Sequence, residues 1–170
     1  SNSLVSFDSD GFTVDDGTIS NNGSINFVAQ QWLAGGAGSA NEEGSINTIS
    51  TTVNTVAKLS VSTYTGTGSA GTIGHGLGTA PSFGIFWNMA GGLKAVYHHR
   101  LATDPETDVI LLGNTTAAAT DDSTVWNDTA PTSSLFSVGT SSKTNQSTKT
   151  IAAYWWAELE GYSKFGSYIG

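Results

Sequence analysis

Residues 151–159 read Ile-Ala-Ala-Tyr-Trp-Trp-Ala-Glu-Leu, and apolar side chains occupy every second position of this segment. Such a period of two is typical of a β-strand that buries one of its faces. Because neighbouring residues on a strand point to opposite faces, Trp155 and Trp156 cannot both lie in the core. We predict that Trp155 is buried, on the same face as the other alternate residues, which are Ile151, Ala153, Ala157 and Leu159.

The same alternation recurs in other short segments of the chain. In residues 83–87, which read Phe-Gly-Ile-Phe-Trp, the first, third and fifth side chains share one face. Residues 58–66 alternate in the same way and run into the turn signal Thr-Gly-Thr-Gly. About ten such strands indicate an all-β fold, an antiparallel β-sandwich of jelly-roll type. Further candidate strands are residues 93–99, 109–112 and 135–138.

Helix signals are nearly absent between these strands. Residues 102–108 and 114–128 are predicted to be loops, the second with one short helical turn at Ala117–Ala119. Because 170 residues suffice for about one domain, we predict a single β-sandwich domain over residues 1–170.

The composition excludes several classes of protein. A hydrophobic content of 38% with 10% aromatic residues is too high for a disordered chain, and no apolar run reaches the roughly 18 residues of a membrane span. With 6 Lys and Arg against 14 Asp and Glu, the net charge of −8 argues against a nucleic-acid partner. The absence of Cys excludes disulfides, thiolate metal sites and cysteine nucleophiles. The opening Ser-Asn-Ser has no basic or apolar region, so we expect no signal peptide.

The chain contains a weak internal repeat. Residues 12–32 align without gaps with residues 136–156, and five of the 21 pairs are identical. Residues 60–66 also resemble residues 164–170, so we predict that the chain holds parts of two repeat units. The last strand, near Tyr168, would then be an edge open to pairing with another chain or module. The alternative is that any two hairpins rich in Ser and Thr look alike.

Three strings of the sequence carry a family resemblance. Residues 64–81 read Tyr-Thr-Gly-Thr-Gly-Ser-Ala-Gly-Thr-Ile-Gly-His-Gly-Leu-Gly-Thr-Ala-Pro, and residues 125–134 and 160–168 are the other two. They resemble the repeated modules of tail-fibre and other virion proteins of marine bacteriophages, a likeness that extends from about Asp8 to the C-terminus. The resemblance implies a component of the virion surface, with other virion subunits as partners. It implies no catalytic residue.

The element His-Gly-Leu-Gly-x-x-Pro, which begins at His75, also resembles a turn found in phage tail-tip β-sandwich domains. Gly74, Gly76 and Gly78 permit positive φ or close backbone approach, and Pro81 extends the residue before it. We predict a structural turn in which His75 donates a hydrogen bond to a backbone carbonyl. Ligand contact, or an axial metal site in an oligomer, are the alternatives for His75.

Two places carry residues that can bind metals. Asp8 and Asp10 have the spacing that opens many calcium loops, but Ile19 occupies the twelfth position, where an EF-hand needs Glu. A solvated turn is therefore favoured there over a looser calcium site. His98 and His99 point to opposite sides of a strand and have no third ligand at a recognisable spacing. We expect no metal and no other cofactor.

The carboxylates give little support for catalysis. Glycosidases need two carboxylates about 5–10 Å apart, and Glu158 and Glu160 would share a face as alternate residues of a strand. Asp121–Asp122 and Asp104–Glu106 lie in predicted loops, and none of these groups belongs to a recognisable catalytic motif. The sequence also lacks a Gly-x-Ser-x-Gly nucleophile elbow. We predict that the chain is not an enzyme.

Aromatic side chains are the stronger candidates for a site, because they stack on the flat apolar faces of sugar rings. We select Trp126, with its loop neighbours Asn127 and Asp128, as an exposed ligand contact, together with Tyr97 and His98. Core packing remains the alternative for each aromatic residue taken singly. The full set of candidates is Trp32, Trp87, Trp126, Trp155, Trp156, Tyr97, Tyr154 and Tyr162.

Fold, resemblance and aromatic content together predict a non-enzymatic module of a phage virion surface. Its expected activity is adhesion to a host surface polysaccharide, with weak contacts strengthened by many copies in a homo-oligomer. One alternative is a purely architectural subunit, a capsid decoration or tail component whose exposed edges join its neighbours. The other alternative is a carbohydrate-active enzyme or its binding module.

Overall fold

The computed structural model describes residues 4–17, 21–92, 94–101, 109–113, 115–166 and 168. The chain divides into two compact units, Ser1–Trp32 and Leu33–Gly170. That residues 1–170 form a single β-sandwich domain stays a prediction. In the first unit, strands β1 (Leu4–Phe7) and β2 (Phe12–Val14) form an antiparallel hairpin. All the other regular elements belong to the second unit.

The second unit consists of a large sheet, a small sheet and two short helices. The bounds are β3 (Thr48–Asn54), β4 (Leu59–Thr65), β5 (Gly71–Gly74), β6 (Phe83–Asn88), β7 (Lys94–His98), β8 (Val109–Leu112), β9 (Thr120–Asp121), α1 (Ser123–Trp126), β10 (Leu135–Val138), α2 (Ser142–Asn145) and β11 (Thr150–Trp156). The large sheet has seven strands in the order β3-β4-β11-β6-β7-β8-β9, and every neighbouring pair is antiparallel. Strands β5 and β10 pair separately as a two-stranded ribbon.

Strand β11 lies between β4 and β6, and its alternation is the one predicted from the sequence. Ile151, Ala153 and Trp155 are fully buried on the inner face of the large sheet. Trp155 pairs with Ser60 of β4 on one side and with Gly84 of β6 on the other. A Cβ at residue 84 would lie 3.3 Å from the Trp155 ring, so the glycine makes room for the indole. The prediction that Trp155 is buried is confirmed.

The inner face of the large sheet packs against the β5–β10 ribbon and helix α1. The Phe86 ring of β6 lies 5.0 Å from the Trp126 ring of α1 and 5.1 Å from the Phe136 ring of β10, measured between centroids. Tyr97 of β7 meets Phe136 edge to face at 5.1 Å. These layers confirm the all-β antiparallel sandwich, whose second layer is a ribbon with helical turns.

The candidate strands are found with small shifts at their ends. Strands β8 and β10 have the predicted bounds, and β4, β6 and β7 each lie within a residue or two of theirs. Residues 102–108, predicted to be a loop, lie outside the described residues. Phe83, Ile85 and Trp87 share one face of β6, as predicted, and their register with β11 places that face on the outside of the sandwich.

The predicted helical turn at Ala117–Ala119 is wrong, because those residues are irregular and exposed. The two short helices form where a polar side chain caps the first turn. Asp122 accepts the backbone N–H of Thr124 before α1, and Ser141 accepts that of Lys143 before α2. A short run of alanines has no such cap, and an isolated turn does not nucleate by propensity alone. No described helix is long and apolar enough to span a membrane.

The predicted repeat is only partly visible in secondary structure. Its first residues form strands in both copies, β2 and β10. Residues 150–156 form the central strand β11, but the aligned residues 26–32 form no strand. The strand expected near Tyr168 is likewise not formed by residues 164–166 and 168, which are the residues described there.

The turn that begins at Gly74 is the predicted structural turn. His75 is fully buried, and its Nε2 lies 3.2 Å from the carbonyl oxygen of Thr132. The backbone N–H of Leu77 donates to His75 Nδ1 at 3.2 Å, so Nδ1 is unprotonated and Nε2–H donates to Thr132. Gly76 has φ +69°, and a Cβ on Gly74 would lie 1.9 Å from the Asn41 side-chain oxygen. The φ of Gly76 therefore favours glycine, whereas a side chain at residue 74 would have to displace that of Asn41.

The remaining residues of the turn also fit the prediction. Gly78 has φ +70°, a left-handed conformation that favours glycine. Pro81 is buried and lies two residues before β6 begins at Phe83.

Neighbouring residues of β6 provide a direct test of the two-layer arrangement. We expect Phe86→Ala to lower the free energy of unfolding by about 3–5 kcal/mol, because it opens a cavity in the core. Trp87→Ala should cost only about 1 kcal/mol, because the indole is 42% exposed on the outer face. Urea unfolding of both variants measures the difference, and equal losses would show that the two faces are assigned wrongly.

The buried His75 predicts a pH dependence of stability. Burial lowers the pKa of His75 from its usual 6.5, so the unfolded chain binds a proton more readily than the folded one. The contribution of neutral His75 to the free energy of unfolding is therefore complete above about pH 6.5, and it is lost as the pH falls below that value. His75→Gln cannot titrate, so the wild type should lose more stability than this variant between pH 7.5 and 5.5. Parallel urea titrations at the two pH values measure this, and equal losses would contradict it.

Candidate ligand-binding face

The outer face of the large sheet carries aromatic side chains on two neighbouring strands. Strand β6 contributes Phe83, Ile85 and Trp87, and β11 contributes Tyr154 and Trp156. In the register of the two strands, Phe83 is opposite Trp156 and Ile85 is opposite Tyr154. We call these five residues the outer aromatic face. Trp87 is 42% exposed, and the other four are partly exposed.

The same alternation that builds the core produces this face. On β11 the indole of Trp155 enters the core, so the rings of Tyr154 and Trp156 project outward. On β6 the same division separates Phe86, which is buried, from Trp87, which is exposed. The sheet is therefore aromatic on both sides, although only its inner side is fully covered.

The rings of the outer aromatic face lie close together. Tyr154 and Trp156 have centroids 6.2 Å apart and ring planes within 15° of each other. The Phe83 ring lies 5.7 Å from the Trp156 ring. At the other end of β6, the Lys94 ammonium nitrogen lies 4.8 Å from the centroid of the Trp87 ring. The face runs for about 13 Å along β6, which gives room for more than one sugar ring.

The C-terminal loop covers one end of this face. The Phe165 ring stacks on Phe83 with centroids 5.0 Å apart and planes within 5°. The Phe165 backbone is held on both sides: its N–H donates to Glu158 Oε1 at 3.1 Å, and its carbonyl accepts Arg100 Nε–H at 3.0 Å. His99 Nε2 also lies 3.3 Å from this carbonyl. The loop is thus fastened by polar contacts at the surface and by one stacked ring.

Glu158 serves this loop as a hydrogen-bond acceptor. Its Oε1 lies 3.3 Å from His99 Nε2, and the N–H of Phe165, with the nearby charges of His99, Arg100 and Lys164, lowers the pKa of its carboxyl. Glu158 is therefore ionised at neutral pH, whereas a glycosidase acid must hold a proton. Strand β11 ends before Glu158, and Glu160 lies in the following turn, so the prediction that both share a strand face is wrong. Residues 158–164 line a depression of about 490 Å³.

His98 borders the outer aromatic face at the same end. It is paired with Phe83 across the sheet, and the two rings meet edge to face at 6.0 Å. Its Nδ1 accepts the backbone N–H of Arg100 at 3.1 Å. Partial burial and the neighbouring His99 lower the pKa of His98, so its ring is mainly neutral at pH 7.

Comparison with known proteins assigns the chain to a family. One family model, described as a domain of unknown function (DUF7483), matches residues 1–170. The chain belongs to this family. No curated protein and no solved structure matches it. The description of the family names no activity.

The predicted ligand set is not brought together by the fold. Trp126 is fully buried, and its Nε1–H donates to the Val109 carbonyl at 3.3 Å, so the prediction that it is an exposed ligand contact is wrong. Helix α1 turns the indole into the core instead of leaving it in a loop. Tyr97 is also buried, on the inner face of β7, and burial raises the pKa of its hydroxyl to about 12. Asn127 and Asp128 are exposed after α1, with φ of 56° and 46°.

Of the selected residues, only His98 therefore lies at the outer aromatic face. Trp87, Tyr154 and Trp156 are among the aromatic candidates of the sequence, but no pattern singled them out as one site. The signal that could have done so is the alternation of side chains along β11. If the side chain of Trp155 points into the core, those of Tyr154 and Trp156 must point outward. The outward face of β6 then follows from its pairing with β11.

The expectation that the chain binds no metal stays a prediction. Both carboxylate oxygens of Asp8 accept hydroxyl hydrogen bonds, from Ser6 at 2.9 Å and from Thr13 at 2.7 Å. These bonds fasten the β1–β2 turn and lower the pKa of Asp8. Among the residues that the structure describes, no cluster of three or more His, Asp or Glu could hold a metal ion.

Proposed function

We propose that this chain is a non-enzymatic glycan-binding module of a phage virion surface, and that its outer aromatic face binds the sugar. The observation that carries the proposal is the set of partly exposed rings, Phe83, Trp87, Tyr154 and Trp156, on adjacent strands of one sheet face. Large exposed apolar patches on soluble proteins commonly mark binding surfaces. Aromatic rings add stacking geometry, which suits the apolar faces of sugars.

Polar groups next to the rings support a sugar as the ligand. Strand β4 adjoins β11, and its outer face carries the apolar Val61 opposite Tyr154, then Thr63 opposite Ala152 and the exposed Thr65. Hydroxyl groups both donate and accept hydrogen bonds, as sugar hydroxyls do. A face with rings at its centre and hydroxyls at its side suits a polysaccharide better than a purely apolar partner.

Two observations support binding without catalysis and a virion setting. Glu158, the carboxylate closest in sequence to the face, is ionised and engaged with Phe165 and His99. The virion setting rests on the resemblance of residues 64–81, 125–134 and 160–168 to phage modules. In such a particle, an open face with weak contacts would gain affinity from many copies.

The proposal is tested by removing single rings. We expect Tyr154→Ala and Trp87→Ala to weaken retardation in gels that contain surface polysaccharides of marine bacteria, by about three- to tenfold in affinity. Tyr168→Ala is the matched control, because this tyrosine is 94% exposed and lies outside the face. Equal retardation of all three variants would contradict the assigned face. Clearing of the polymer in the gel would contradict the non-enzymatic assignment.

A second candidate function, the architectural subunit, is favoured by the first unit. Its residues expose several large apolar side chains, among them Phe7, Ile25 and Val28, and Val28 is 89% exposed. Isolated monomers seldom expose so many in one short segment. These side chains would be covered if the first unit joined copies of the chain to one another.

Self-association through the first unit is measured by sedimentation velocity. We expect the wild type to form oligomers at micromolar concentration and Val28→Asp to shift the population toward monomers, because a buried unpaired carboxylate is costly. Val56→Asp is the matched control, since Val56 is 81% exposed in the turn between β3 and β4. A wild type that stays monomeric at all concentrations would rule out this second function.

A further inference from the structure

Six of the seven strands of the large sheet carry no carboxylate, whereas the whole chain is acidic; the exception is the edge strand β9, which contains Asp121. The chain carries a net charge of −8, yet strands β3, β4, β6, β7, β8 and β11 contain no Asp or Glu. Lys94 is the one Lys or Arg on these strands, and it lies against Trp87. The outer aromatic face therefore has a cation at one end and no carboxylate among its strands.

Further cations lie at the other end of the face. Arg100 is exposed and bound through Nε to the carbonyl of Phe165, whose ring covers Phe83. A guanidinium has five N–H donors, so this bond engages only one of them. Lys164, also exposed, directly precedes Phe165. The carboxylate in contact with this group is Glu158, which is already paired with His99.

From this arrangement we infer that the polysaccharide bound at the outer aromatic face is anionic, with carboxylate or sulfate groups on its sugars. The inference rests on the proposed function and names its ligand class. The rings would stack on the sugar faces, while Lys94 and Arg100 would pair with acidic groups at the two ends. Charge-assisted hydrogen bonds of this kind are about twice as strong as neutral ones.

The overall negative charge does not prevent such binding. At physiological ionic strength, charges more than about 8 Å apart are largely screened. Strands β6 and β11, which carry the face, contain no Asp or Glu. A ligand in contact with Lys94 and Arg100 therefore interacts mainly with those cations.

The test compares each polymer with its own neutral form. We would measure dissociation constants at 0.15 M salt for a uronate oligosaccharide and its carboxyl-reduced form, and for a sulfated galactan and its desulfated form. The acidic form should bind at least about fivefold more tightly, and Lys94→Gln should reduce that preference about two- to fivefold. Lys149→Gln is the charge-matched control, because Lys149 is exposed and precedes β11.

Each outcome supports or overturns the inference. A preference for the acidic form that falls in Lys94→Gln and persists in Lys149→Gln supports it. Equal binding of the acidic and neutral forms overturns it and leaves the glycan-binding function standing. If the preference for the acidic form falls equally in both lysine variants, the inference is also overturned, because the preference would then come from the total charge of the chain. Binding of none of the polymers overturns both proposals.

Discussion

The opposite orientation of neighbouring side chains on strand β11 is the constraint on which the rest of the sandwich depends. Trp155 and Trp156 are adjacent, so one indole must be inside when the other is outside. With β4 on one side and β6 on the other, a slip of one residue would exchange the two faces. The core favours one register, because Trp155 is flanked by the small Ser60 and by Gly84, which has no side chain. That choice also fixes the outward position of Tyr154 and Trp156.

Core and candidate site are therefore two results of one pairing. The inner face is closed by the β5–β10 ribbon and α1, whose Phe136 and Trp126 rings interlock with Phe86. Within the second unit, the second layer has only the two strands of the ribbon, against seven in the large sheet. Phe165 covers only the end of the outer aromatic face at Phe83. An aromatic sheet face that remains partly exposed is the consequence.

Sequence periodicity predicted the strands well, because a period of two is a local property that each strand carries in itself. It did not predict the burial of Trp126. That burial depends on a four-residue helix, which begins after the Asp122 cap and packs against strands that are distant in sequence. The prediction for Tyr97 was wrong for a related reason. Which alternate side chains of β7 point into the core becomes clear only from the pairing of β7 with β6. The stacking of Phe165 on Phe83 joins residues far apart in sequence, and no periodic signal marks it.

The two proposed surfaces place different demands on the same acidic chain. Net negative charge favours solubility and opposes association of copies, so an apolar surface that joins copies must overcome this repulsion. The first unit has four Asp residues beside its exposed apolar side chains, and at physiological ionic strength most of their repulsion is screened. The outer aromatic face belongs to the other unit, and its strands contain no carboxylate. Assembly and glycan binding would thus use separate residues, so that a substitution in one surface leaves the other available for measurement.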